Sequence, residues 1–582
     1  MARTVSFQPW LLLVLVLVAA CASPVRASGA LREGTGFVAI SLHDVVDTPA
    51  DLDAEAVTSD RLVGLLEWLS GNGWTAISLD DVERARRGLA PLPPKAVLIT
   101  VDDGLASLYT RVYPLAMAYR MPVVAALVGD WMDAPDGASI RYGERELPRA
   151  AFVTWAQARE MQASGWVEFA THTHALHATV RANPQGSLLP AAQNRIWREG
   201  GYEDAEEFRA RIRADLAHAR ARLRAELGRE PRALAWPYGR YNADALAVAT
   251  GLGFDFAMTL EAGPADATRP HAIPRFMPTG DPALATWVDN LRFHDPWPAA
   301  QRIVGIDPAQ LATGDPVQTD ARLGRAIERL VALGATHVML DAGSIAPDGR
   351  LASTWFPNAE VPVRADVLGR FAAQMRARAG VEVVVRLPHA SALRRLGDAQ
   401  RVPALYRDLA AHVPFSGLVL EDVPSLAMVP VQTGDAPWDV ADRRAGMSYE
   451  AWPQPDLVAA RAFEAATAGR PGLRAYWLAP RSHPLDRPSG LVEVTLVPSP
   501  PRGLGGGTLP STLARRSGAW LDLGGGAPPA RMLARAAHTF LVGGGTIIGW
   551  GPDDALADPA DAQALAPVVS ARRLPPPGTG AP

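Results

Sequence analysis

Two short stretches concentrate groups able to bind a metal or move a proton. Asp102-Asp103-Gly104 follows on the apolar run Ala96–Val101, and Thr171-His172-Thr173-His174-Ala175-Leu176-His177 follows on Trp166–Ala170. A short apolar run that stops at polar residues reads as a buried strand with its end at a site. Gly104 permits a sharp turn that brings two adjacent carboxylates to one mouth, although strand alternation would otherwise separate them. Taken alone, such a triplet is often only a turn or a helix cap. One histidine is more often structural, but His172, His174 and His177 crowd one strand terminus and favour a metal or acid–base site. One carboxylate and two imidazoles leave open positions on a divalent ion, as hydrolysis requires. A second carboxylate can then accept the proton of the activated water.

These stretches need a frame that holds them at one mouth. A chain of 582 residues is too long for one ordinary core and implies two or more domains. Hydrophobic residues at 48% and charged residues at 20% describe a globular chain, with no compositional case for disorder. A net charge of −4 without any basic block gives no electrostatic reason for a nucleic-acid partner. Cys21 stands alone, which excludes a disulfide framework and a cysteine zinc cage.

Strand-like runs Phe37–His43, Ala96–Val101, Val123–Val128, Trp166–Ala170, Ala233–Trp236 and Phe254–Thr259 alternate with helical stretches. Among the latter are Asp60–Ser70 and Glu203–Leu227, with Gly228 as a stop. A second cycle has strands Arg302–Asp307, His337–Asp341, Val381–Leu387, Gly417–Glu421, Leu473–Leu478, Val492–Val497, Ala519–Leu523 and Thr546–Trp550. Its helices include Asp320–Leu333 and Arg364–Ala379. The alternation predicts an α/β fold with parallel strands, and the second half fits a (β/α)₈ TIM-like barrel. Phe293–Ala300, with two prolines, marks the boundary. Asp307, Asp341 and Glu421-Asp422 fall at strand ends of this second barrel, where barrel sites lie, though Asp307 reads equally as a solvated loop residue.

Thr100-Val-Asp-Asp-Gly104 and Thr171–His177 resemble the first two motifs of the polysaccharide deacetylases, the NodB-homology carbohydrate esterases, and Trp236-Pro237-Tyr238-Gly239 resembles the third. The resemblance implies a deformed (β/α) barrel for the first half. It implies Asp102 as general base and Asp103, His172 and His177 as ligands of one divalent metal ion. His174 is expected not to ligate. The backbone N–H of Tyr238, after Trp236 and Pro237, is expected to hold the oxyanion. Zinc suits such a ligand set, and Fe, Co or Ni would also be held by it.

Two departures stand out. Many members carry an Arg in the third motif that orients the base, whereas Ala235 and Trp236 occupy that stretch here. The late Leu-x-x-His, source of the general acid, has its letters in Leu291-Arg-Phe-His294, at the domain boundary. His43, in Ser41-Leu-His43-Asp44 at the end of the first strand, is the better positioned imidazole.

The early His-Asp, with Ile273-Pro-Arg-Phe276, Trp355-Phe-Pro-Asn358 and Val361–Asp366, narrows the resemblance. Over most of its mature length the chain is similar to the periplasmic poly-β-1,6-N-acetyl-D-glucosamine N-deacetylases of biofilm export systems. That implies a poly-N-acetylglucosamine substrate and an outer-membrane export porin as partner. It also implies a glycoside hydrolase-like second domain that binds, and in some members cleaves, the partly deacetylated, cationic polymer, using carboxylates such as Glu421, Asp422 and Asp341.

The N-terminus has Arg3 and then the apolar run Trp10–Ala20, too short for a bilayer, which needs about 20 residues. It reads as a signal peptide. Val18-Ala19-Ala20-Cys21 resembles a bacterial lipobox with Cys21 as the lipidated residue, and the uncharged Ala22 favours the outer membrane. The predicted organisation is 1–20 signal peptide, 21–36 lipidated tether, 37–297 deacetylase domain, 298–572 barrel domain and 573–582 disordered tail. Two rival readings use the same residues: a deacetylase of a chitin-like glycan or peptidoglycan, and a non-catalytic glycan-binding lipoprotein with a relic site. A metalloprotease is disfavoured because there is no His-Glu-x-x-His.

Overall fold

The computed structural model describes residues 31–291, 300–431, 439–499, 513–523, 530–557 and 559–569. Cys21, His294, the leader 1–20, most of the boundary at 293–300 and the tail 573–582 lie outside the described residues. Among the described residues, no helix is long and apolar enough to cross a membrane.

The first domain is built on seven parallel strands that pair in chain order: β1 (Gly36–Leu42), β2 (Ala96–Val101), β3 (Val123–Leu127), β4 (Val167–Thr171), β5 (Ala233–Ala235), β6 (Phe256–Thr259) and β7 (Ile273–Pro274). Strands β1, β2 and β3 are buried at every position, the pattern of a sheet covered on both faces. The ring does not close with a full ladder. Past β7 a single parallel bridge joins Phe276 to Ile40. Its two hydrogen bonds run from Ser41 N–H to Phe276 O and from Phe276 N–H to Ala39 O, each 2.8 Å. The short strand Ala265–Asp266 pairs antiparallel with the start of β1. The result is a deformed (β/α) barrel.

Helices cover the outside. Helix α1 (Ser59–Gly71) buries Leu62, Leu65, Leu66 and Leu69, and the Thr58 hydroxyl accepts from Arg61 N–H at its start. Helix α2 (Ala205–Leu227) buries Phe208, Ile212, Leu216, Ala219, Leu223 and Leu227, a stripe at helical spacing. Asp204 and Glu207 form a reciprocal capping box at its start, and Gly228, at φ +70°, ends it in the left-handed conformation that glycine adopts without strain. Each large side chain in that stripe contributes about 1.5–3 kcal/mol by leaving water.

The second domain is a closed barrel of eight parallel strands: β8 (Gln301–Ile306), β9 (His337–Asp341), β10 (Glu382–Arg386), β11 (Gly417–Glu421), β12 (Arg474–Leu478), β13 (Val494–Ser499), β14 (Ser517–Asp522) and β15 (Ile547–Gly551). Strand β15 pairs back onto β8. The interior is a packed layer that includes Ile303, Met339, Val419, Tyr476 and Trp520. Trp520 fits because Gly305, Gly549 and Gly551 face it: a Cβ on any of them would lie within 3 Å of the indole.

Two helices begin away from where periodicity puts them. Helix α3 (Pro316–Leu333) starts before Asp320, because Asp315 accepts from Val317 N–H and Pro316 fits the first turn. Helix α4 (Leu368–Ala379) starts after Arg364, because that stretch runs extended and Val363 bridges to Thr354. Helix α5 (Gln454–Gly469) packs closely on the helix Arg401–His412.

The domains meet on the first domain's 183–204 region and, besides it, where Arg269 pairs with Asp442 and the helix Ala243–Gly251 touches α5. The Tyr202 hydroxyl donates to Asp366, and Gln185 Nε2 donates to Asp366 O at 2.6 Å. Arg470, directly after α5, reaches Gln193 and Asn194.

Candidate active site and the second barrel mouth

Strand β2 delivers Asp102 and Asp103 in succession, and an ordinary strand would point them apart. The separation is undone by the backbone: Asp103 sits at φ +74° and Gly104 at φ +78°. The turn therefore depends on Asp103 itself as well as on Gly104. A non-glycine residue in this region costs about 1–3 kcal/mol and needs its surroundings to hold it. Thr173 at φ +69° and Tyr238 at φ +58° make the equivalent turns past β4 and β5. Left-handed residues thus follow strands β2, β4 and β5, and Asp103 and Tyr238 among them line one cavity of about 400 Å³ together with His172 and His177.

Both carboxylates are 2% exposed. Asp103 Oδ2 accepts from the Tyr142 hydroxyl at 2.8 Å. Its Oδ1 lies 3.4 Å from Nε2 of His172 and 3.4 Å from Nε2 of His177. That oxygen is buried and has no hydrogen-bond partner. His172 Nδ1 donates to Ala235 O at 2.8 Å, which leaves the Nε2 lone pair pointing inward. Burial holds both imidazoles down to about 4, so both are neutral near pH 7. The His177 ring is set by Trp131 at 4.7 Å and Tyr238 at 4.6 Å between centroids. A lone carboxylate oxygen facing two neutral imidazole nitrogens is the donor set of a divalent transition metal, so the residues fit such an ion.

Asp102 stands in a different environment. Arg275 Nη1 and Nη2 donate to its two oxygens, each at 2.8 Å, and Ser41 Oγ donates at 3.2 Å. Burial alone would push this carboxyl up, but the guanidinium outweighs it and holds Asp102 well below the usual carboxylate range. Arg275 is itself buried and also donates to Thr100 Oγ1 and Thr259 O. Sequence reasoning looked for this arginine beside Ala235 and missed it. The signal was an Arg inside Ile273-Pro-Arg-Phe276, an otherwise apolar strand end.

His43 follows β1 and is 8% exposed, with Nδ1 buried and unbonded. It lies with Glu55 and Asp103 in a group whose donor atoms are all within 4.8 Å. Glu55 also escaped the sequence reading; burial pushes its carboxyl up. Asp44 is structural, accepting from Val45 N–H and Ser107 Oγ. Trp236 has its indole fully buried and stacked on Tyr241 at 5.4 Å. Beside buried Pro237, the turn uses the amides of Gly239 and Arg240, bonded to Trp236 O and Pro237 O, and not that of Tyr238.

His174 points elsewhere. Its ring lies tilted against that of His218, with centroids 4.1 Å apart, and Asp133 completes a second Asp/His/His cluster. Both oxygens of Asp133 already accept from Arg222 Nε at 2.8 Å, and one also accepts from Trp155 Nε1. A guanidinium thus already neutralises the carboxylate of this second cluster.

At the mouth of the second barrel, Asp341 is paired with Arg386 at 2.6 and 3.0 Å. Asp307 caps a short helix by accepting from Ala309 N–H. Burial pushes the carboxyls of Asp341 and Glu421 up, with Arg386 opposing. Asp422 turns at φ +55°, the counterpart of Asp103 in the first domain. Arg386, on which these carboxylates converge, was not singled out from sequence.

A family model described as polysaccharide deacetylase matches residues 90–257, and one described as hypothetical glycosyl hydrolase family 13 matches residues 306–392. The chain is 34% identical over 447 residues to the poly-β-1,6-N-acetyl-D-glucosamine N-deacetylase of Escherichia coli strain K12, covering 71% of this chain and 66% of that one. It thus spans just under two thirds of that relative's length. Among solved structures, it is similar to a BpsB deacetylase domain from Bordetella bronchiseptica, 38% identical over 43% of this chain and 97% of that one, with a TM-score of 0.37. A de-N-acetylase from Aggregatibacter actinomycetemcomitans is 33% identical over 44% of this chain and 99% of that one, with a TM-score of 0.42.

Proposed function

The chain belongs to the polysaccharide deacetylase family, and on that premise we propose that it is a metal-dependent N-deacetylase of poly-β-1,6-N-acetyl-D-glucosamine. The observation that carries the chemistry is the partnerless Oδ1 of Asp103, held against two imidazole nitrogens beside an arginine-clamped Asp102. The substrate comes from the relatives' name.

Asp103, His172 and His177 would hold a divalent ion, which when bound would supply Lewis acidity for activating water and polarising the acetyl carbonyl. Asp102, kept ionised and oriented by Arg275, accepts the proton of the attacking water. Tyr142 fixes Asp103 in its ligand rotamer through the hydroxyl bond to Oδ2. The Tyr238 N–H donates to the carbonyl oxygen as it gains negative charge. His43 gives a proton to the amide nitrogen as the C–N bond breaks, which releases acetate and leaves a free amine on the sugar. The domain assignment is 37–297 for this chemistry and 298–572 for a barrel that binds the partly deacetylated polymer through Glu421, Asp422 and Asp341.

The leader 1–20 and Cys21 support a lipoprotein anchored to the outer membrane from the periplasm, with an export porin as partner. Several acyl chains would hold firmly where a single one is marginal. The deciding experiment is acetate release from N-acetylglucosamine polymers of differing linkage, with and without chelator. Chelator-sensitive release confined to the β-1,6 polymer supports the proposal. Equal release from chitin-like oligomers or peptidoglycan supports the broader glycan reading, and no release from any polymer sinks it.

A further inference from the structure

The turn that carries the Tyr238 amide is held from a distance by the other domain. Tyr238 is in the left-handed region at φ +58°, a conformation that persists only when its surroundings over-determine it. Three residues on, Tyr241 anchors the turn. Its ring lies parallel to the Trp236 indole at 5.4 Å, and its hydroxyl donates to Glu261 at 2.8 Å. The Tyr241 backbone carbonyl accepts from Gln193 Nε2 at 2.7 Å, and Asn242 Nδ2 donates back to Gln193 O at 2.9 Å.

Gln193 is 7% exposed and its amide can be oriented two ways, because oxygen and nitrogen are nearly the same size. Only one orientation presents a donor to Tyr241 O; the other presses two oxygens together. The choice is made by Arg470 of the second domain. Its Nη1 donates to Gln193 Oε1 at 3.0 Å, and its Nη2 donates to Asn194 Oδ1 at 2.9 Å. A guanidinium has donors only, so it captures the amide oxygen and leaves Nε2 for Tyr241. Arg470 is itself fixed, 6% exposed, over the Phe415 ring and at the end of α5.

We propose that Arg470 is a positioning residue for the deacetylase site, setting the Gln193 amide so that the 236–242 turn holds the Tyr238 N–H at the cavity. The inference rests on the deacetylase reading above, and it makes the barrel domain part of the first domain's catalytic apparatus. Elsewhere in the interface, Tyr202 with Asp366 and Arg370 with Gln185 tie the domains together without touching the turn, and so serve as the comparison.

The test uses full-length protein and four variants: Arg470→Ala, Arg470→Lys, Gln193→Glu and Tyr202→Phe. Gln193→Glu keeps an acceptor for Arg470 but offers no donor to Tyr241 O, so it separates the turn from the interface. Arg470→Ala and Gln193→Glu should each lower kcat for acetate release by roughly 10-fold, a fraction of the loss on deleting an oxyanion donor, with KM and bound metal unchanged. Arg470→Lys, with one point donor in place of a fork, should fall between them and wild type. Tyr202→Phe should stay near wild type. Amide hydrogen exchange over 236–242 should quicken in Arg470→Ala and Gln193→Glu only. Should Arg470→Ala not fold, Gln193→Glu decides alone. Wild-type kcat and exchange in a folded Gln193→Glu would overturn the proposal, as would an equal kcat loss in Tyr202→Phe. Failure of the deacetylase reading shows differently: wild type would release no acetate, while the exchange pattern would still report on the turn.

Discussion

The two barrel mouths place carboxylates at the same topological position, the ends of parallel strands, yet satisfy them in opposite ways. In the first domain Asp103 Oδ1 is buried without a partner and faces two neutral imidazoles. In the second, Asp341 is locked to Arg386 and Asp307 to a backbone amide. A buried oxygen left unbonded costs several kcal/mol unless something else completes it, and a cation of the kind proposed above would complete the first mouth. The second mouth is already neutralised in part, through Arg386. Its carboxylates suit a ligand that brings its own positive charge.

The contrast breaks most visibly at the metal triad. Asp103→Ala, His172→Ala or His177→Ala should each abolish bound metal and acetate release together, measured by metal analysis and acetate assay. His174→Ala should keep the metal; stripping by His174→Ala but not by His177→Ala would mean the wrong imidazole has been chosen.

A smaller loss separates base from ligand. Asp102→Asn should retain metal and lose turnover by about 10²–10⁴-fold, since an amide cannot take the water's proton. Arg275→Met tests the clamp. Without the guanidinium, burial loses its main opponent and the Asp102 carboxyl rises, so the acid limb of kcat should move to higher pH. A profile from about pH 5 to about pH 9 that is unchanged from wild type would show that Arg275 does not tune the base.

His43→Ala comes next, with turnover down by about 10²-fold and metal retained. Full activity would transfer the acid role elsewhere. The smallest effect belongs to the second mouth. Asp422→Asn should weaken binding of partly deacetylated polymer a few-fold and blunt its salt sensitivity, leaving acetate release unchanged. Binding that ignores the state of acetylation would remove the reason for a cationic ligand.

Sequence periodicity made the framework legible because buried parallel strands are continuous apolar runs. Ala96–Val101 and His337–Asp341 could be read to the residue for that reason. The candidate imidazole ligands were legible because histidine is scarce in this chain and three of them crowd into six positions. What escaped was contributed from afar. Arg275 meets Asp102 across 173 positions of chain, and Tyr142 reaches Asp103 from a small hairpin, Ser139–Tyr142 with Arg145–Pro148, that has no strong apolar pattern. Arg386 looked like a polar strand end until the barrel brought Asp341 beside it. A pairing set by closure of the fold leaves no periodic trace.

The bridge that closes the first barrel carries one more implication. Phe276 pins the ring shut, and Arg275 is the residue immediately before it. All three metal-ligand candidates and Asp102 precede them by about a hundred residues or more. A chain emerging from its N-terminus can therefore collect every ligand before the counter-ion of its base arrives. On the proposed function, ion loading would then precede the clamping of the base, and hydrolysis would await the closing of the ring.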